Sequence, residues 1–372
     1  MLAASLLFLT RLGFDIDVKI LQTRMIEALE SERKAHGFPG VTAAIVLPDG
    51  RLVAVAVGSS EPYKPMKTGD RMLAGSIGKT YFAATMLQIA NEHNISLDTK
   101  ISTWFAKEPW FSRMANHDDI TLRHLMHHQS GLADFLEVPS VMTKLADPNY
   151  IFKGSEWVET IADMPALAPA GTQFAYTDLN FILVAMIIEK ITGKKAYDEI
   201  DRRILRPLRL RDTIPSVRRQ LPGLVQGNSK PNPPFTKKGP VLQDGKVFIN
   251  PQMEWGGGGF LSNSSDLARW AQSLYGGNVL SPNMLASYTD GVPSFPRETY
   301  GLGCQLRQSN WGPTQGHSGW FPGYLSDMAY FPDRRFSVSV QFNSDDFRQL
   351  GSGTYRYVLL MAKQYLELKG KP

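Results

Sequence analysis

Sheet-forming sequence lies near both ends of this chain, with helical sequence between. Early on, Val41-Thr42-Ala43-Ala44-Ile45-Val46-Leu47 and Leu52-Val53-Ala54-Val55-Ala56-Val57 read as two β runs joined by Pro48-Asp49-Gly50. In the last quarter, Tyr300 to Leu306, Tyr324 to Phe331 and Phe336 to Phe342 read as three more, separated by Gly316-His317-Ser318-Gly319 and Pro332-Asp333-Arg334. Apolar Ile20, Leu21, Met25, Ile26 and Leu29 among charges predict a helix over 18–36 that ends near Gly37, and a last helix is expected over about 349–368. If both ends build one sheet, the middle must be an insertion. The expectation is an α/β (α+β) protein with an antiparallel sheet flanked by helices and an inserted helical subdomain. The sheet part would comprise about 18–95 and 255–372, the helical part about 96–254, with 1–17 a separate apolar segment, and the cleft between the two parts is the default site.

Within the middle, 95–105 reads as a loop-like crossover, and Ile120 to His128 opens a region of short helices interrupted by Gly131, Pro139, Pro148 and Gly154. A strongly apolar helix from about Leu179 to Ile191 is closed by Gly193. Five prolines between 222 and 240 predict a surface loop or extended lid. The run Gly256-Gly257-Gly258-Gly259 lacks the Gly-Lys-Ser ending of a phosphate loop, so close packing or a tight turn is expected there.

Composition removes several classes of function. With 372 residues, 43% of them apolar, the chain can bury a large core in one domain or two. Forty basic against 35 acidic residues leave a modest net charge of +5, and the densest basic run, Arg202 to Arg211, is interleaved with leucines as on a wet helix face. Nucleic acid is therefore not an expected partner. The single Cys304 excludes an internal disulfide and suits a buried small residue. His124, His127 and His128 lack the partners of a metal site and are read as structural hydrogen-bonding residues; no metal or other cofactor is expected. Met1 to Thr10 is apolar without a basic leader or clear cleavage site, so it reads as a trimmed export signal or a first packed segment. It is too short to span a bilayer, and no other stretch suggests a transmembrane segment.

Ala74-Gly75-Ser76-Ile77-Gly78-Lys79 opens a helix that must be buried, given Tyr81, Phe82, Met86, Leu87, Ile89 and Ala90 behind it. Residues i and i+3 share a helix face, so Lys79 can reach the Ser76 hydroxyl. The same spacing recurs at Ser31 and Lys34 in a charged, solvated stretch, and Ser also favours an N-cap, so the pair alone leaves nucleophile and cap equally open. A serine hydroxyl needs an adjacent base, and a solvated lysine with pKa near about 10.4 is charged at neutral pH. Lys79 would have to be desolvated, or placed near positive charge, to act as one.

Three separated segments then read together: Ser76-Ile77-Gly78-Lys79, Tyr176-Thr177-Asp178 and His317-Ser318-Gly319. They resemble the three motifs of the serine β-lactamase and penicillin-binding protein superfamily. The surrounding Ile120 to Leu132, Pro169 to Asp178 and Gly316 to Asp333 resemble its class C branch, which also holds D,D-carboxypeptidases, D-aminopeptidases and family VIII carboxylesterases. Lys67-Thr68-Gly69 matches the third motif by letters but precedes the nucleophile and is discarded. The resemblance covers roughly residue 20 to the C-terminus. It implies a β-lactamase/transpeptidase-like fold and an acyl-enzyme on Ser76, with Lys79 and Tyr176 sharing the proton. It also implies that His317 supports the proton network and, when charged, attracts a substrate carboxylate, and that the oxyanion hole is formed by the backbone N–H groups of Ser76 and Trp320. Asp178, Ser318, Gly319 and Trp320 are the implied substrate-binding residues, and a periplasmic or secreted location is suggested without excluding the cytoplasm.

Two departures weigh on the substrate. Asp178 replaces the usual asparagine with a group that only accepts hydrogen bonds, and His317 replaces the lysine common in β-lactamases. The resulting expectation is a metal-free serine hydrolase, a carboxylesterase with weak β-lactamase activity at most, acting on a small ester, amide or short peptide. The alternatives are a D,D-carboxypeptidase or D-aminopeptidase, and a β-lactam sensor that acylates without turnover. Trp255, Phe260, Trp320 and Phe321 are the expected aromatic walls of the cleft. Oligomeric state does not follow from the sequence.

Overall fold

The computed structural model describes residues 16–370 except 232–234, 236 and 352, so the apolar segment Met1 to Thr10 lies outside the described residues. Helix α1, Val18–His36, starts at Asp17, whose carboxylate accepts the N–H groups of Lys19 (2.8 Å) and Ile20 (3.2 Å). It ends where Gly37 turns left-handed at φ 76°, and it buries Leu21, Met25 and Leu29.

The strands β1 (Gly40–Val46), β2 (Leu52–Glu61), β3 (Gln305–Ser309), β4 (Gly312–Phe321), β5 (Tyr324–Phe331) and β6 (Phe336–Phe342) belong to one nine-stranded antiparallel sheet. Its order is Val292–Pro293, Glu298–Tyr300, β3, β4, β5, β6, β1, β2, Lys64–Pro65. The two ends of the chain meet where β1 pairs with β6, Val41 opposite Phe342 and Val46 opposite Ser337. Four further helices matter to the site: α2 (Lys79–Glu92), α3 (Asp178–Thr192), α4 (Ser264–Tyr275) and α5 (Tyr355–Leu368).

β6 shows how the layers assemble. Phe336, Val338, Val340 and Phe342 enter the core shared with α1 and α5, while Ser337, Ser339 and Gln341 face the other way and are equally buried. The two serines fit beneath α4, donating to its carbonyls: Ser337 to Ala268 O at 2.7 Å and Ser339 to Ser264 O at 2.5 Å. Small hydroxyls satisfied this way let a helix lie close over a buried strand without orphaned polar atoms. Beyond α4, the larger core contains α2 and α3 in contact, and the described elements between 96 and 254 are mainly short helices and turns.

Several expectations change in detail. Gly316 to Gly319 is not a separator but part of the ten-residue strand β4, and the Tyr300 to Leu306 run is divided between Glu298–Tyr300 and β3. The crossover at 95–105 contains the helical turn Ser102–Phe105, and the last helix begins at Tyr355. The helix from Leu179 extends over Asp178–Thr192, with Gly193 left-handed as expected. In the basic run, Arg202 and Arg203 pair with Glu199, and Arg203 also with Glu92. Cys304 is fully buried.

Candidate functional site

Ser76 sits in a single 3-10 turn, Gly75–Gly78, that feeds α2. Neither residue before α2 caps it with a side chain, so the cap reading of Ser76 does not hold. Lys79, the first residue of α2, is fully buried. Its ammonium donates to Ser76 Oγ at 3.0 Å, to Asp178 Oδ1 at 2.5 Å and to the Gly257 carbonyl, and lies 4.9 Å from the centre of the Tyr176 ring. Burial alone would discharge Lys79, but the Asp178 carboxylate and Tyr176 outweigh it and hold its pKa above the ordinary lysine value. The expected charge-lowering surroundings are thus replaced by a counter-ion. By contrast Ser31 and Lys34 are exposed on α1, and Lys67 to Gly69 are exposed as well.

The glycine run makes this closeness possible. A Cβ on Gly78 would stand 2.3 Å from Gly258 O, one on Gly257 would stand 2.8 Å from the Asp178 side chain, and one on Gly256 would stand 2.7 Å from Ile182 Cα. The run is wedged between the Ser76 turn and α3, so it is packing rather than phosphate binding.

Tyr176 precedes α3, whose N-cap Thr177 accepts the Leu179 N–H. Its ring lies 4.2 Å from His128, a fully buried histidine. The Nδ1 atom of His128 faces the Thr177 N–H at 3.4 Å and the Asn180 amide at 3.1 Å. Burial and the nearby Lys79 charge keep His128 neutral, so it is a flat apolar support for Tyr176. Tyr176 itself is pushed above its usual pKa by burial, although Lys79 pulls the other way. His127 Nε2 donates to Asp290 O at 3.0 Å and His124 closes a capping box with Thr121, the structural roles expected of them.

β4 supplies the opposite wall. Its register with β3 ends at Gly316, so His317 to Phe321 have β5 on one side and the Ser76 turn on the other. A Cβ on Gly319 would stand 1.9 Å from Ala74 O, and one on Gly75, at φ +57°, would stand 2.5 Å from Trp320 N. Only bare backbone fits at this seam, which brings the backbones of Ser76 and Trp320 together, a Cβ on Gly319 standing 3.2 Å from Ser76 N. The Ser318 N–H donates to Gln305 Oε1 at 2.8 Å. His317 lines the cleft but is not charged as expected. It is buried, its Nε2 meets Tyr300 Oη at 2.9 Å and its Nδ1 meets Ser318 O at 2.5 Å. Burial, then the Lys79 charge, depress its pKa to about 3. Its ring centre is 6.5 Å from that of Tyr176, so it is a neutral wall rather than a link in the Ser76–Lys79–Tyr176 contacts.

Two cavities meet at Ser76, Tyr176 and Trp320. One, of about 200 Å³, runs past Phe295, Gln305, His317 and Ser318; the other, of about 250 Å³, runs past Asp134, Leu136, Asp178, Phe235, Met253, Glu254 and Phe321. Of the expected aromatic walls, Trp320 and Phe321 are present, whereas Phe260 is core, its ring 4.9 Å from that of Tyr81, and Trp255 packs against Gly154. Phe235 takes a place instead, its ring 5.6 Å from Trp320. Glu254 and Phe235 carried no sequence signal; only the adjacency of Glu254 to the glycine run marks it in hindsight.

A family model described as Beta-lactamase matches residues 26–363. The chain belongs to the Beta-lactamase family. It is 23% identical over 398 residues to an N-acetylmuramyl-L-alanine amidase of Bacillus subtilis, covering 92% of this chain and 89% of the relative. It is 23% identical over 367 residues to Esterase EstB of Burkholderia gladioli, covering 88% and 91%. Among solved structures, a D-stereospecific amidohydrolase from Streptomyces superposes with a TM-score of 0.77 at 27% identity, covering 91% of this chain and 97% of that one. This member of the Beta-lactamase family is a serine hydrolase with an α+β fold. No helix among the described residues is long and apolar enough to cross a membrane.

Proposed function

We propose that Ser76 forms an acyl-enzyme and that the protein hydrolyses esters or amides whose leaving groups are uncharged, a carboxylesterase in the first place. The observation that carries this reading is the uncharged wall of the smaller cavity. His317 is neutral there, and none of the described residues lining either cavity is an arginine or a lysine. A D,D-peptide or a cephalosporin brings a carboxylate, which such a wall does not reward. An alcohol or ammonia leaves without needing a counter-charge.

In this reading Ser76 Oγ attacks the carbonyl, and the Lys79–Tyr176 pair, 3.0 Å from the hydroxyl through Lys79 Nζ, takes the proton as a coupled unit. The Ser76 and Trp320 amides receive the developing oxyanion. The pair returns the proton to the leaving group, and water then releases the acyl group by the same route. Because the resting pair is protonated, the rate rises with pH until the pair ionises. Exposure to a fluorophosphonate should add one adduct at Ser76 by intact-protein mass, and Ser76→Ala should lose both the adduct and turnover. In parallel, a short-chain nitrophenyl ester should be turned over well ahead of a D-Ala-D-Ala peptide and a chromogenic cephalosporin. No adduct, or preference for the peptide, overturns the proposal.

A further inference from the structure

The basic run of the sequence takes no part in the site, and its charge is unevenly placed. Residues 194–211 hold seven basic side chains against three acidic ones, and the other 354 residues hold 33 against 32. Four of the five net positive charges therefore belong to 18 residues of chain.

The fold turns this run outward. It follows Gly193, which ends α3, and passes through the short helix Ala196–Ile200 and a π-helical turn, Asp201–Leu205. Ala196, Tyr197, Ile200, Ile204 and Leu205 are buried on its inner side, which leaves Lys194, Lys195, Arg202, Arg206, Arg209 and Arg211 exposed. Lys194 and Arg202 reach one carboxylate, Glu199, at 3.6 and 2.7 Å, and Arg206 follows about a turn later. The chain stays wound beyond it, the Arg209 N–H donating to Arg206 O at 3.1 Å and the Arg211 N–H to Arg209 O at 3.0 Å. The side chains of Lys195, Arg209 and Arg211 have no hydrogen-bond or ion-pair partner among the described residues. Like charges gathered this closely repel, and an anionic partner relieves them.

We infer that this face docks the protein on an anionic lipid surface, its lysines and arginines against the headgroups. Exposed Pro207 and half-buried Leu208 stand between Arg206 and Arg209, which puts apolar carbon among the cations as interfacial segments do. Nucleic acid fits less well, because Tyr197, the aromatic residue of the run, is buried and leaves no ring for bases to stack on. The patch also stands apart from the chemistry. α3 has Asp178 at its start and the patch at its end, and its 15 residues separate the two by about 22 Å. None of the six exposed cations lines either cavity, so docking and hydrolysis use separate surfaces. The inference stands whatever ester or amide Ser76 attacks.

The deciding experiment is co-sedimentation of the whole protein with two sets of vesicles, phosphatidylcholine alone and phosphatidylcholine with about a third replaced by phosphatidylglycerol. At low salt the protein should pellet with the anionic set and stay in solution with the neutral one. Raising salt to about 0.5 M should release it, since screening then acts within a few ångströms. A basic side chain near such a surface is worth about fivefold in partition, so Lys195→Gln, Arg209→Gln and Arg211→Gln together should weaken binding by about a hundredfold. The same charge removed elsewhere, by Lys19→Gln and Lys34→Gln on α1 and Arg334→Gln between β5 and β6, should cost far less. Hydrolysis of a soluble nitrophenyl ester should be equal in the wild type and both triple variants, which checks their folds. Failure to bind the anionic vesicles, equal binding to both sets, or equal losses in the two triple variants overturns the inference. Binding to a DNA oligonucleotide without binding to vesicles overturns it in favour of nucleic acid. Should the Lys195, Arg209 and Arg211 variant not fold, the lipid preference and salt release of the wild type decide.

Discussion

At the scale of single residues, the governing contact is the ion pair between Lys79 and Asp178 at 2.5 Å. Asp178 raises the pKa of Lys79 and of Tyr176 together, so it delays the ionisation that frees the pair to accept the Ser76 proton. Asp178→Asn keeps the shape and removes the charge. The acid limb of the kcat/KM profile should therefore move down by about a unit or more, since an adjacent charge typically shifts a pKa by that much. A profile measured with a neutral ester, so that substrate ionisation plays no part, checks this; an unmoved limb would show that Asp178 does not set the proton affinity of the pair. Much of this cluster was legible in the sequence because Ser76, Lys79, Tyr176 and His317 belong to spaced motifs that composition does not produce by chance. The role of Asp178 was not, since a contact across 99 residues of chain leaves no periodic trace, and it had been read as a substrate ligand. The charge on His317 was misread for a related reason. Burial beside Tyr300 decides its protonation, and burial of one residue in a glycine-flanked run cannot be seen from its neighbours.

At the scale of elements, the seam between β4 and the Ser76 turn decides whether the two amides can converge. Gly316-His317-Ser318-Gly319 looked like a turn because glycine is a breaker by local rules. Here Gly319 serves a non-local demand, a backbone approach that leaves 1.9 Å between its would-be Cβ and Ala74 O. Helix boundaries such as Gly37 and Gly193 were legible for the opposite reason, since a left-handed cap is a local event. Gly319→Ala must push β4 from the turn, and small displacements of aligned groups cost rate steeply. The expected result is a loss of about a hundredfold in kcat/KM and a slower fluorophosphonate reaction, with a folded far-ultraviolet spectrum. An alanine variant with near wild-type labelling would mean that the seam does not position the Ser76 and Trp320 amides.

At the scale of the whole molecule, the buried titratable groups give stability a maximum in pH rather than a plateau. His127 and His317 have folded pKa values of about 4 and about 3 against 6.5 when unfolded. Groups depressed in this way bind more protons unfolded, so the stability they contribute is present above pH 6.5 and drains away as pH falls through the folded values. His128, displaced in the same direction, adds to the loss. Glu254 has the opposite sign: raised from 4.5 to about 8, it contributes fully below pH 4.5 and loses its contribution as pH climbs through 8. Between 4.5 and 6.5 the two effects oppose each other; of these groups, the histidines alone act below that window and Glu254 alone above it. Three histidines outweigh one carboxyl across that window, so the melting temperature should peak at about pH 6.5 and decline on both sides, each unit of displacement being worth about 1.4 kcal/mol at most. Glu254→Gln removes the carboxyl that ionises, so its decline between pH 6.5 and 8 should flatten while the acid side stays as steep. Melting curves of the wild type and of Glu254→Gln across this range test the proton held at Glu254 through the stability of the fold, independently of any turnover.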